Sequence, residues 1–208
     1  MVAIIDYGVG NLFSLRSSFA HIGEEAIVTA DPKVIAAADH VILPGVGAFG
    51  DAAKKLRDSG MAEVVLREAA SGKPLMGICL GMQLLFEKSY EYGEHIGLGL
   101  IKGSVVPMAG VIPKTYKIPH IGWNALHIRQ KSPLLAGIKP GDCVYFVHSF
   151  YAADCDEAVL ATAEYGEELT AAVAYRNVYG CQFHPEKSGS VGLAILLAFL
   201  NTKEGQPW

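Results

Sequence analysis

Three times in its first half the chain runs a short apolar stretch into a glycine-bearing loop and then into a helical repeat. VAIID meets GVGN before Leu12, Leu15, Phe19 and Ile22 recur at helical spacing. HVIL meets PGVG before a helix beginning near Ala48, and PLMGI meets CLG before a helix around Met82, Leu85 and Phe86. A further strand, AIVT, follows the first helix. Strands that alternate with helices pair in parallel, because each helix carries the chain back to the start of the sheet. The expected fold is therefore α/β, a mostly parallel central sheet with helices on both faces. Ligands of such sheets bind beyond the carboxyl ends of the strands, where these glycine loops lie.

After about residue 95 the pattern changes. GLIKGSVV, NALHI, CVYFVHSFYAA, AVLATAEY and TAAVAYRNVYGCQFHPE read as strand-like runs, several alternating apolar and polar positions, so antiparallel additions to the sheet are expected. Arg176-Asn177 marks a hairpin between two long strands, and Ser190 is the expected cap of the terminal helix. With no repeat, low-complexity tract or charged linker, residues 1–208 read as one domain.

Composition narrows the function. Seventeen Lys and Arg against 21 Asp and Glu give a net charge of -4, without the basic footprint of a nucleic-acid or anionic-membrane binder. The amino terminus lacks the pattern of a secretory signal, and Val191 to Leu200 is about half the ~20 residues of a membrane span, so a cytoplasmic protein is expected. Cys79, Cys143, Cys155 and Cys181 show no CxxC pairing; reduced thiols are the expectation, and a zinc site is not.

Gly77-Ile78-Cys79-Leu80-Gly81 sets a nucleophilic side chain between glycines at a strand-to-helix junction. A sharp turn there exposes the nucleophile, the flanking glycines admit the crossing backbone, and the helix dipole favours a thiolate. Taken alone, the motif equally describes a buried cysteine in a tight turn.

Gln182-Phe183-His184-Pro185-Glu186 supplies the partners. In extended chain His184 and Glu186 project to one side, so the carboxylate can orient the imidazole as it serves Cys79. His21, His40, His95, His120, His127 and His148 have no comparable carboxylate nearby in sequence, although His148 ends an apolar strand and can border a site. Pro44-Gly45-Val46-Gly47, after the strand HVIL, offers backbone N–H groups for an oxyanion, together with the N–H of Leu80.

PGVG, GICLGMQLLF and HPE, in this order along the chain, resemble the class I (triad) glutamine amidotransferases. DYGVGN, PGVGAF, PHIGWN, YFVHSFY and QFHPEKSG narrow the resemblance to the glutaminase subunits of imidazole glycerol phosphate synthases, over essentially the whole chain. The resemblance implies a flavodoxin-like fold and hydrolysis of the glutamine side-chain amide by Cys79, His184 and Glu186, with no metal or organic cofactor. It also implies glutamine contacts at Gln83, Ser149 and Phe150. The ammonia would pass to a cyclase subunit with a (β/α)8 barrel, in a heterodimer that Asn11, His120, Trp123, Tyr145 and Lys187 would face. The rival enzymatic reading is the glutaminase subunit of pyridoxal phosphate synthase, or another Cys-His-Glu hydrolase of the same fold, against which PHIGWN argues. The rival of another class is a non-catalytic module with an oxidisable thiol.

Overall fold

The structure, a computed structural model, describes residues 1–203. Its strands are β1 Val2–Ile5, β2 Ala26–Thr29, β3 His40–Leu43, β4 Leu75–Ile78, β5 Phe86–Ser89, β6 His95–Ile96, β7 Ile101–Pro107, β8 His120–Ala125, β9 His127–Ile128, β10 Cys143–His148, β11 Phe150–Ala153, β12 Val159–Glu164, β13 Glu168–Tyr175 and β14 Val178–Cys181. The helices are α1 Leu12–His21, α2 Pro32–Ala37, α3 Phe49–Asp58, α4 Met61–Ala70, α5 Leu80–Leu84 and α6 Gly189–Leu200. No helix among the described residues is long and apolar enough to cross a membrane.

The main sheet has the order β2-β1-β3-β4-β14-β13-β12-β9. From β2 to β14 every pairing is parallel; β13, β12 and β9 extend the sheet antiparallel. The strands are apolar on both faces because both are covered. Ala3, Ile5, Val41 and Leu43 pack with residues of α2, α3 and α4 such as Ile35, Leu56 and Val65. Val2, Ile4, Ile42 and Met76 pack with Leu15 and Phe19 of α1 and with Ile195, Leu196 and Phe199 of α6. Alternation along each strand thus builds two cores, and each large side chain in them stabilises the fold by about 1.5–3 kcal/mol.

Five local expectations need correction. The helix after Cys79 ends at Leu84, and Phe86 begins β5, paired with β7. The segment 98–101 returns to bond the carbonyls of Leu84 and Leu85, which closes the helix early. CVYFVHSFYAA is two strands, β10 paired with β8 and β11 paired with β7, parted at Ser149. NALHI is likewise split between β8 and β9. The hairpin at Arg176-Asn177 is present, but its second strand has only 4 residues. Ser190 does not cap α6: Ser188 holds the N-cap position, and its Oγ donates to the His184 carbonyl and accepts from Tyr145 N–H.

Candidate active site

β4 and β14 are neighbours, with Ile78 opposite Cys181, so the residues that follow them emerge side by side at the carboxyl edge of the sheet. Cys79 leaves β4 with φ 55° and ψ -114°, a conformation that only glycine adopts freely. Its N–H donates to the Cys181 carbonyl at 2.7 Å, which holds the turn. The turn also explains the glycine two residues on: a Cβ on Gly81 would sit 1.9 Å from the Leu43 carbonyl oxygen. The elbow and the end of β3 are therefore in backbone contact. Gly45 is pressed against the same place, since its Cβ would lie 2.5 Å from Gly81 N.

That contact lays the Pro44–Gly47 loop along the start of α5, beside the Leu80 N–H. Val46 is 41% exposed and keeps a negative φ, whereas Gly47 takes φ 94°. Tyr7, which the sequence reading did not single out, fixes the loop from β1, its buried hydroxyl donating to the Pro44 carbonyl at 2.7 Å.

His184 Nδ1 lies 2.8 Å from Glu186 Oε1, and both side chains are buried. The expected contact is present but for a different reason: residues 185–187 form a 3-10 turn instead of extended chain, and the turn folds Glu186 back under the ring. Burial works against a charged His184, but its hydrogen bonds to Cys79 and Glu186 and the charges of those groups outweigh it and raise its pKa to about 9. With Nδ1 held by the carboxylate, Nε2 is the nitrogen left for Cys79. At neutral pH the imidazolium therefore stands beside Cys79 as an acid already in place. Glu186 Oε2 is buried with no hydrogen-bond partner among the described residues.

A cleft of about 270 Å³ opens at this point, lined by Val46, Gly47, Cys79, Leu80, Gln83, Glu91, Ser149, Phe150 and His184 among others. A larger groove of about 940 Å³ lies on the other side of Glu91 and is lined by none of Cys79, His184 and Glu186, so the smaller cleft is the candidate reaction site. Gln83 spends its amide hydrogens on the Phe150 carbonyl, at 3.2 Å, and on Gln182 Oε1, at 3.0 Å. Gln182 Nε2 then lies 3.9 Å from Cys79 Sγ, so a fully buried amide supports the sulfur from below. Gln182 carries no titratable group, so nothing in the run 182–186 marks it as a neighbour of the sulfur. Glu91 was missed as well; it is the carboxylate lining the cleft, and its Oε2 also accepts from the Phe49 N–H at the start of α3. Nothing in its immediate sequence, Ser-Tyr-Glu-Tyr-Gly, marks it.

The expected partner-facing residues do not all share one surface. Trp123 is 54% exposed and meets Tyr145 edge-on at 5.9 Å, and Lys187 Nζ lies 5.8 Å from the Tyr145 ring. Ile121, 59% exposed, extends this patch on the β8–β10 ribbon. Asn11 is half-buried at the head of α1. His120 is buried at 1% exposure and cannot touch a partner, because β8 turns it inward onto Phe146 and Tyr165. His127 departs from expectation too: its Nδ1 lies at hydrogen-bond distance, 2.7 Å, from Glu168 Oε1. All four cysteines are free; Cys143 is exposed and the others are buried.

Comparison with known proteins agrees with this architecture. The family model described as glutamine amidotransferase class-I matches residues 3–201. An imidazole glycerol phosphate synthase subunit HisH of Wolinella succinogenes is 51% identical over 96% of this chain and 98% of its own length. The subunit of the same name from Aquifex aeolicus is 48% identical over 97% of this chain and 96% of its own. In fold, a chain of the Thermotoga maritima PurLQS structure matches with a TM-score of 0.76 at 23% identity, covering 96% of this chain and 97% of that one. A structure described as a glutamine amidotransferase matches at 0.75 with 21% identity, over 96% and 97%. The protein belongs to the class-I glutamine amidotransferase family, among the HisH subunits of imidazole glycerol phosphate synthase.

Proposed function

We propose that the chain hydrolyses the side-chain amide of glutamine at Cys79 and delivers the ammonia to a cyclase subunit with a (β/α)8 barrel, which completes imidazole glycerol phosphate synthesis in histidine biosynthesis. The Cys79 thiolate attacks the carboxamide carbon, and the N–H groups of Leu80 and of the Gly45–Gly47 loop receive the oxyanion. His184 protonates the departing ammonia, leaving a glutamyl thioester. Water then gives a proton to His184 and displaces the thiolate, releasing glutamate. Glu186 holds the imidazole in the required orientation and sustains its charge. Glu91 meets the α-ammonium group of glutamine, while Gln83 and the Ser149–Phe150 backbone shape the other wall.

The observation that carries this reading is the strained Cys79 turn facing an imidazole whose pKa is raised to about 9. The names of the relatives at about half identity favour this partner over a pyridoxal phosphate synthase. Trp123, Tyr145 and Lys187, together with Asn11, are the proposed contacts to the cyclase. Residues 1–208 then act as one cytoplasmic glutaminase domain, and no step calls for a metal or organic cofactor. The test is release of glutamate and ammonia by the parent and by Cys79→Ala, each with the cyclase present. Near-normal release by folded Cys79→Ala refutes the triad.

A further inference from the structure

Two histidines that the hydrolysis does not use lie end to end across the β8–β10 ribbon, with His148 at the wall of the cleft. His148 Nδ1 is 2.9 Å from the Phe150 carbonyl oxygen, His148 Nε2 is 3.0 Å from His120 Nδ1, and His120 Nε2 is 2.7 Å from Asn124 Oδ1. Asn124 Nδ2 donates to the Glu164 carbonyl at 2.8 Å. Both rings are buried, His148 at 6% and His120 at 1% exposure.

The protons along this chain can be counted. A carbonyl only accepts, so His148 Nδ1 carries hydrogen. The Glu164 carbonyl likewise requires the Asn124 NH2 group, which turns Oδ1 toward His120 and places hydrogen on His120 Nε2. A neutral imidazole has a single N–H, and both are now committed at the outer ends. The two inner nitrogens would then face one another as lone pairs at 3.0 Å. One further proton between them completes every bond and gives the pair a single positive charge.

The surroundings pull both ways. His120 stacks on Tyr165 with centroids 3.9 Å apart and on Phe146 at 5.0 Å, and aromatic faces attract a cation. Burial opposes the charge, lowering His120 from the ordinary imidazole value and His148 to about 4. The ionisable groups facing the pair are His184, whose charge repels a proton on His148, and the Tyr165 phenol; no carboxylate is among the bonded partners of either ring. When the extra proton leaves, the least costly repair is a turn of the Asn124 amide. Its NH2 group then donates to His120 Nε2, His120 Nδ1–H donates to His148, and only the exposed bond to Glu164 passes to water.

We propose that His120 and His148 form a one-proton pair, positioning residues whose shared charge sets the direction of the Asn124 amide. One end of the chain holds the Phe150 carbonyl, which also takes the Gln83 amide of the cleft. The other end is on β8, the strand of Trp123. Loss of charge at His184, as when it gives its proton to ammonia, favours proton uptake by the pair, so the chemical step is transmitted to the partner-facing strand. That transmission rests on the proposed hydrolysis and partner; the proton count does not.

The test is nitrogen NMR of the full chain with ¹⁵N-labelled histidine, titrated from about pH 4 to about pH 9. The expected result is one common step for both rings, with three of their four nitrogens protonated below it and two above. In Asn124→Asp the carboxylate can only accept, so the step moves up by about one pH unit or more. In Asn124→Ala that support is gone and the step moves down. Two separate steps, two protonated nitrogens throughout, or shifts of one sign in both variants would overturn the proposal. The parent titration decides alone should a variant fail to fold, and none of these readings depends on glutaminase activity.

Discussion

Replacing Glu186 by Gln keeps an acceptor opposite His184 Nδ1 and removes the charge. The imidazole has a pKa of about 9 against an ordinary value of 6.5, and the carboxylate at 2.8 Å is one of the two groups that raise it. Loss of an opposite charge at such a distance lowers a pKa by about 1–3 pH units, so His184 in the variant should titrate between about 6 and 8. His184 must be charged to protonate ammonia, so activity is present below this pKa and falls above it. In glutamine hydrolysis measured with the cyclase across the pH range, the alkaline limb of kcat/KM should move from near 9 to that window. At pH 7.5 this corresponds to a loss of about 1.3-fold to about thirtyfold, from the charged fraction alone. Stability should follow the same sign. A raised imidazole pKa stabilises the fold fully below about 6.5 and loses that contribution as pH rises through about 9. The 2.5-unit elevation is worth about 3 kcal/mol, shared between Cys79 and Glu186. The melting difference between parent and Glu186→Gln should therefore be greatest below pH 6.5 and shrink toward pH 9. An alkaline limb that stays near 9 in the variant, or a loss of rate independent of pH, refutes this role for Glu186.

The strain at Cys79 gives a second expectation: Cys79→Gly should be more stable than Cys79→Ala by about 1–3 kcal/mol in denaturant unfolding, while both lack glutaminase activity. Equal stability would mean that the turn is not strained. Glu91→Gln keeps an acceptor for the Phe49 N–H but loses the charge, so KM for glutamine should rise roughly ten- to a hundredfold with kcat much less affected. Val46 lies outside the left-handed region. If turning the Gly45–Val46 peptide toward the oxyanion requires positive φ at Val46, Val46→Gly should raise the rate of the isolated chain more than that of the complex; an unchanged ratio between them removes strain at Val46 as the switch.

The β-α alternation was legible because apolar runs and glycine loops are local signals, and the parallel half of the sheet follows from them. The proposed triad could be picked out for a related reason: Gly77, Gly81 and the His-Pro-Glu run answer to backbone geometry within a few residues. What the sequence hid depends on contacts between distant segments. Glu91 reaches the cleft from the end of β5, which is held in parallel pairing with the distant β7, and Gln182 matters only because Gln83 and Cys79 arrive beside it. His120 reads as a surface residue in PHIGWN, yet the pairing of β8 with β10 places it opposite His148 and turns it inward. Ser188 replaced Ser190 at the head of α6 because its hydroxyl ties the His184 turn to β10, a requirement invisible along the helix itself.

The most direct measurement is intact-chain mass spectrometry after acid quench during glutamine turnover with the cyclase present, followed by peptide mapping. The proposed chemistry predicts a glutamyl thioester on the peptide containing Cys79, absent from Cys79→Ala and released by neutral hydroxylamine. Turnover without any adduct, or an adduct on Cys143, Cys155 or Cys181 in place of Cys79, would contradict it.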